Sequence, residues 1–316
     1  MVAVGGDGTV LSAAHFLDHG TIPMLGVNSD PSSPDELASS VTKQSDERRS
    51  HGALCMCTSL DMHDGISKVL YGGGVLSSRA RIQTVVKSTF AETRLVPALN
   101  DMLIANPSPA AVSRFRMGFI SKMDTTDGYA GPLQDGSVVS DNVAKDNAVI
   151  PGSDGSDLVE RIKINTALVN PTYGTVTRFG GIPYSVHRSI NVWSSGMWVS
   201  TSTGSSAAMV NAGGSIMDLN SPELQYLVRE HMLEANSGME CKEAGQGLLS
   251  QDESLHLRWN SQKGTIFIDG SHMTQDLELG DEIKISNDAP PLQLFMRDYG
   301  KASTDPKMNP ISGLSR

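Results

Sequence analysis

No cluster of basic residues occurs anywhere in the chain. Lysine and arginine number 25 against 35 aspartates and glutamates, a formal charge of −10. Nucleic acids and anionic membranes are held by dense positive charge, so neither is an expected partner. Long apolar runs are missing too. A membrane-spanning helix needs about 18 or more such residues in a row, and no stretch reaches that length. The three cysteines, Cys55, Cys57 and Cys241, are too few for a disulfide framework, and Cys55-Met56-Cys57 is spaced wrongly for a zinc knuckle. Reduced thiols and no metal centre of the protein's own are expected. His15, His63, His187, His231, His256 and His272 fall into no ligand spacing and read as surface or packing residues. Nothing ahead of the first strand has the charged or amphipathic pattern of a leader. Leu314-Ser315-Arg316 is not a clear peroxisomal Ser-Lys-Leu signal. The expected location is cytoplasmic, with the peroxisome kept open.

What is present starts at once. Val2, Ala3 and Val4 read as the end of a buried strand, followed by Gly5-Gly6-Asp7-Gly8-Thr9 and a helical pattern over residues 10–17. A strand that breaks into glycines before a helix brings backbone N–H groups close to phosphate. Glycine suits that place because a Cβ would hold the phosphate oxygens away. Thr9 is placed to cap the helix and to donate its hydroxyl. Asp7 is the unusual member, since a carboxylate beside phosphates repels them unless it meets Mg²⁺ or takes a proton. The stretch is not a Walker loop, which needs Lys-Ser/Thr after its last glycine. Nor is it a dinucleotide fingerprint, because Leu11 stands where the third glycine would fall.

A length of 316 residues with 39% hydrophobic content suits a globular protein of two domains. Residues 22–28 read as a second buried strand ending in a polar turn at Asn28, a site position or a plain turn. Residues 31–52 read as a loop, and residues 60–70 as a helix stopped by Gly72-Gly73-Gly74. Residues 80–86 carry β-branched enrichment and read as a strand. Within the strand region 95–105, Asn100-Asp101 is either a hairpin or bulge facing water or a pair that hydrogen-bonds ribose or adenine. Residues 118–181, rich in Asp, Gly, Ser, Asn and Pro, read as a disordered insertion or long exposed loop. Residues 196–209 again run from a strand into hydroxyls, glycine and an alanine-rich helix. Those hydroxyls either cap the helix or hold phosphate and sugar groups. Leu224-Gln225-Tyr226-Leu227-Val228 alternates, and residues 255–268 read as a hairpin about a turn at 260–264, ending at Asp269-Gly270. The expected fold is a Rossmann-like α/β domain, residues 1–93, then a β-sandwich-type domain, residues 94–298, with residues 299–316 a flexible tail.

Four stretches in this order resemble the NAD kinase family. They are Gly5-Gly6-Asp7-Gly8-Thr9, Asn100-Asp101, Ser202-Thr203-Gly204-Ser205-Ser206-Ala207 and Ile268-Asp269-Gly270. Lipid kinases share the first stretch but not the third. Gly26-Val27-Asn28-Ser29-Asp30-Pro31, Pro97-Ala98-Leu99-Asn100-Asp101 and residues 107–114 are similar to the plant NADH kinase and mitochondrial NAD kinase branch. The resemblance implies transfer of the ATP γ-phosphoryl group to the adenosine-ribose 2′-hydroxyl of NADH or NAD⁺, with Mg²⁺ accompanying ATP and a homodimer as the assembly. It implies that Asp7 is the catalytic carboxylate, that Gly5, Gly6, Gly8 and Thr9 contact phosphate, and that Asn100 and Asp101 hold the dinucleotide. Thr203, Gly204, Ser205, Ser206 and Ala207 would line the nucleotide site, with Asn28 and Asp269 as further site positions. The chain departs from the family pattern at Asp101, where Glu is usual, and at Ala208, where Tyr is frequent. The family also places one or two βα units ahead of its first motif, so the sheet is expected to lack those neighbours. A lipid kinase, or a nucleotide-binding relative without turnover, is the alternative.

Overall fold

The computed structural model describes residues 1–31, 52–123, 176–232 and 244–297. Strand β1 (Val2–Val4) leads through two glycines into helix α1 (Asp7–Ala14), and β2 (Met24–Asn28) and β3 (Cys57–Thr58) lie parallel to it. Helix α2 (Met62–Leu70) and β4 (Val75–Arg79) follow. The small α/β sheet runs β1-β2-β18-β4, where β18 is Leu292–Met296 from the far end of the chain, and β3 pairs with β2. Its core sets Val10, Leu11 and Ala14 of α1 against Ala3, Met24, Leu54, Leu99 and Leu294.

The remaining strands form two antiparallel sheets. One joins β5 (Gln83–Lys87), β6 (Glu92–Arg94), β8 (Ser113–Lys122), β9 (Val176–Phe179), β10 (Ile182–Ser194), β14 (Ser254–Trp259) and β17 (Glu282–Ser286). The other joins β7 (Asp101–Ala105), β11 (Gly196–Ser200), β12 (Leu224–Arg229), β13 (Gln246–Leu249), β15 (Lys263–Ile268) and β16 (Met273–Glu278). Alternate residues point inward from each. Phe115, Met117 and Phe119 of β8 meet Met102, Ile104, Val199 and Tyr226 of the facing sheet in one apolar core. The two antiparallel sheets pack face to face as in a sandwich, and with the small sheet they give the expected combination of an α/β part and a β-rich part.

Several local readings change. The expected disordered insertion does not hold at either end of residues 118–181, because residues 118–122 lie in β8 and residues 176–179 in β9; residues 124–175 and the expected tail lie outside the described residues. Sheet membership does not divide at residue 93, because β5 and β6 belong to the sandwich and β18 returns to the α/β sheet. Strand β12 does not alternate in burial. Its first five residues are all buried, because Leu224, Tyr226 and Val228 enter the core while Gln225 on the other face is covered by the segment at Ser215, to which it is hydrogen-bonded.

The hairpin over residues 255–268 does not form either. Strand β14 pairs with β8 and β17, and β15 pairs with β7 and β16, so residues 260–262 turn the corner between sheets. The corner is set by Trp259, fully buried and stacked on Phe115 at 5.9 Å. A Cβ at Gly264 would stand 2.4 Å from the indole ring, so only glycine lets β15 pass beneath it. Replacing Gly264 by Ala should lower the urea midpoint, with a cost of about 1–3 kcal/mol from overpacking. An unchanged midpoint would mean that the indole is free to move aside.

Candidate functional site

The first motif opens at the end of β1. Gly5 N–H donates to Val27 O at 2.9 Å, and Gly6 O accepts from Thr9 N and Val10 N at 2.9 and 3.2 Å. These bonds start the helix at Asp7 with Gly6 as the cap, and no side chain caps it. Thr9 therefore does not cap the helix. It stands exposed in the first turn, and a Cβ at Gly5 would come 2.2 Å from its Oγ1. Gly6 N–H and Gly8 N–H make no hydrogen bond among the described residues, as an anion needs.

Asp7 is held from outside its own helix. Its Oδ1 accepts Leu54 N at 2.8 Å and its Oδ2 accepts Ala53 N at 3.1 Å. The two bonds orient the carboxylate at the start of the helix. Cys55 lies beside it, its Sγ 3.8 Å from Gly5 O. Burial, and then the negative charge of Asp7, push its thiol up to about 12, which rules it out as a thiolate nucleophile at neutral pH. Asn28 ends β2 buried, its Oδ1 accepting Asp30 N at 3.2 Å, as in an Asx turn.

The other three motifs converge on one point. Asp269 sits with φ +49° at the turn from β15 to β16, followed by Gly270 at +113°. Aspartate tolerates this left-handed conformation better than most residues, which explains the Asp-Gly pair. Its carboxylate takes Leu99 N and His15 Nε2 on Oδ2 at 2.8 and 2.9 Å, and Asn100 N and Asp101 N on Oδ1 at 2.7 and 3.1 Å. Asp269 N returns a bond to Asp101 O at 3.0 Å. The turn after β11 packs on the same segment. Thr201 Oγ1 donates to Leu99 O at 2.6 Å and accepts Thr203 N and Gly204 N at 3.1 and 3.2 Å. A Cβ at Gly204 would fall 2.2 Å from Asn100 O, so the close approach depends on glycine.

The predicted residues of that turn differ in what they offer. Ser205 is fully buried and engaged inside the turn, donating to Ser202 O at 2.8 Å and accepting Met217 N at 3.0 Å. Ser206 and Ala207 are exposed. Thr203 Oγ1 and Asn100 Oδ1 are shielded from solvent, and neither has a hydrogen-bond partner among the described residues. Buried polar atoms are almost always paired, so two orphans beside a pinned backbone mark a place where a polar ligand completes the bonding. Asp101 lies next to them, buried at the start of β7 and not in water. Neighbouring Asn100 is half-buried.

Three contributors were not foreseen. His15 is not a surface or packing residue, since its imidazole meets Asp269. The available sign was its spacing four after Leu11 on the buried face of α1. Thr201 organises the turn one residue before the motif. Arg81, fully buried, donates to Leu17 O and Pro290 O at 2.7 Å each and so fastens the end of α1 to the segment leading into β18.

No family profile matches the chain. It is 32% identical over 296 residues to a probable NADH kinase of Oryza sativa subsp. japonica, covering 94% of this chain and 70% of that protein. The NADH kinase of Arabidopsis thaliana is also 32% identical over 296 residues, with 94% and 72% covered. Among solved structures it is similar to the yeast NADH kinase complexed with NADH, with a TM-score of 0.57, 14% identity and 94% of this chain covered. The chain spans 61% of that yeast chain. An NAD kinase from Archaeoglobus fulgidus in complex with ATP gives 0.53 at 14% identity, with 94% and 78% covered. At that identity the likeness to these two concerns the fold.

The Asp101 carboxyl is pushed up to about 7, first by burial and then by the charge of Asp269. The unfolded chain ionises this group near 3.8, so its contribution to stability is complete below that pH and falls away as pH rises towards 7. Above 7 the accumulated loss is about 4 kcal/mol at 1.4 kcal/mol per unit. Asp101→Asn should therefore gain stability over the parent progressively between pH 4 and 7, read as urea midpoints across that range. A difference independent of pH would show that burial does not perturb Asp101.

Proposed function

The chain belongs to the NAD kinase family, in the branch of the plant NADH kinases, and from that premise we propose that it transfers the γ-phosphoryl group of ATP to the adenosine-ribose 2′-hydroxyl of NADH or NAD⁺. The observation that carries this reading is the pair of unpartnered buried oxygens, Asn100 Oδ1 and Thr203 Oγ1, beside a backbone segment held rigidly by Asp269. An acceptor with ribose hydroxyls and an adenine edge supplies donors for both. The dinucleotide therefore lies against Asn100, Asp101, Thr203 and Gly204, with Ser206 and Ala207 at the exposed rim and Ser205 acting from within the turn.

The phosphates of the donor face the N-terminal turn of α1, lined by Gly5, Gly6, Gly8 and Thr9, where Gly6 N–H and Gly8 N–H make no hydrogen bond among the described residues and the helix dipole favours negative charge. Asp7 receives the proton of the 2′-hydroxyl as its oxygen bonds to the γ-phosphorus and the bond to the β-phosphate oxygen breaks, releasing ADP. The bonds from Ala53 N and Leu54 N fix the rotamer that this proton transfer needs. Among the described residues no group of three His, Cys, Asp or Glu could hold a metal. One carboxylate at the helix start suits Mg²⁺ that arrives on the nucleotide and is held mainly by phosphates. Bound there, it would neutralise the charge of the transferring group. Homodimerisation and a cytoplasmic location belong to the same reading. No helix of the described residues is long and apolar enough to cross a membrane. The lipid-kinase alternative shares only the first loop and finds no support in the relatives above.

The test is a coupled assay for NADPH or NADP⁺ with ATP and Mg²⁺. The parent should turn over, and Asp7→Asn, which keeps one oxygen for Leu54 N, should lose about 100-fold or more in kcat, the usual effect of removing an acid–base group. Full activity in the variant would exclude Asp7 as the base, and an inactive parent would exclude the kinase reading for this chain.

A further inference from the structure

The family reading places Asp269 among the residues that contact the nucleotide, and the structure leaves it no capacity to do so. A carboxylate has about four lone-pair directions, and here all four are taken by donors of the protein itself: three consecutive backbone N–H groups, from Leu99, Asn100 and Asp101, and the ring of His15. The Asp269 side chain is fully shielded, and that of His15 is 5% exposed. Because a carboxylate only accepts, His15 Nε2 carries the hydrogen. His15 caps the C-terminal end of α1, the helix whose first turn holds Asp7. It is steadied by His272, which stacks on it at 5.6 Å and reaches Ser12 of the same helix at 3.2 Å. The end of α1 is thus tied through one carboxylate to the segment that presents Asn100.

We propose that Asp269 and His15 are positioning residues that set Asn100 for the acceptor dinucleotide against the helix carrying the phosphate turn, without touching either nucleotide. This inference rests on the kinase reading and adds two roles to it. Three backbone groups in a row anchored to one carboxylate fix the backbone of Asn100, so the direction in which its side chain leaves the chain is set before the ligand arrives. Such pre-organisation lowers the ordering that binding must otherwise impose. It acts on the dinucleotide side. The phosphate turn lies at the opposite end of α1, about 12 Å away at 1.5 Å per residue, and keeps its own hydrogen bonds to the backbone of Val27 and the Ala53–Leu54 pair.

The variants follow from this. Asp269→Asn offers a single oxygen to four donors and turns an NH₂ towards N–H groups. His15→Leu removes the donor on Oδ2, whereas His15→Gln keeps an amide N–H within similar reach. Steady-state kinetics should be measured separately in NADH and in ATP, with direct NADH binding by fluorescence and a thermal melt for each variant. Asp269→Asn and His15→Leu should raise the KM and Kd for NADH about tenfold or more, the scale expected when charged hydrogen bonds that orient a binding group are lost. The KM for ATP should stay within about twofold, and His15→Gln should recover most of the NADH affinity. The proposal is overturned if folded His15→Leu binds NADH like the parent, if both KM values rise together, or if Gln behaves like Leu. Should Asp269→Asn not fold, the two His15 variants decide. An inactive parent removes the kinase reading alone, and the same variants then test the positioning roles through NADH binding. A parent that neither turns over nor binds NADH overturns both.

Discussion

One buried carboxylate governs the arrangement of this molecule. Asp269 gathers four donors from two separate parts of the chain, the end of the helix after the first strand and the segment entering β7, and its own N–H, in the turn that closes β15, bonds back to Asp101 O. Charge-assisted bonds of this kind are roughly twice as strong as neutral ones, and a buried carboxylate that lost them would be severely penalised. The local consequences follow in sequence. Asp269 adopts a left-handed backbone, Gly270 continues it, and residues 99–101 are drawn into line. Asp101, forced into the same low-dielectric region, then holds its proton far above the ordinary carboxylate range.

Residues 99–102 also join two cores. Leu99 belongs to the cluster under α1, and Met102 to the core of the sandwich. Strand β18 reinforces the connection by returning from the last sandwich strand to pair with β2. Rigid elements therefore flank the candidate site on both sides. Its functional groups protrude from the ends of those elements: Asp7 from the start of a helix, Asn100 from the entry to a strand, and Thr203 from a turn pressed onto that entry. A site supported in this way keeps its geometry before any ligand binds, which suits phosphoryl transfer, a reaction governed by positioning and charge stabilisation.

Much of this could be read from the residues. The glycine-rich end of β1, the hydroxyl turn after β11 and the Asp-Gly pair each carry a local chemical signature, and the two-part fold follows from a βα start and many short strands. What escaped depends on contacts distant in sequence. The spacing of His15 after Leu11 marks a buried face, but its partner lies 254 residues away and no local pattern names it. The 255–268 stretch has every local mark of a hairpin, yet the crossing of Trp259 over Gly264 sends its halves to different sheets. Residues 118–122 look like the start of a polar insertion, yet Phe119 and Ile120 are wholly buried. In each case a tertiary contact overrode a local preference, and for residues 118–122 the alternation of Phe115, Met117 and Phe119 along β8 was the available hint.

The central claim is that this site forms a bond between the ATP γ-phosphorus and a ribose 2′-oxygen. Phosphorus NMR of the products, after incubation of the protein with ATP, Mg²⁺ and NADH, addresses that bond directly. The account predicts a new phosphomonoester signal coupled to the 2′ position of the adenosine ribose, in equal amount to the ADP formed. ADP with inorganic phosphate and unchanged NADH, or a phosphate on any other hydroxyl, would contradict it.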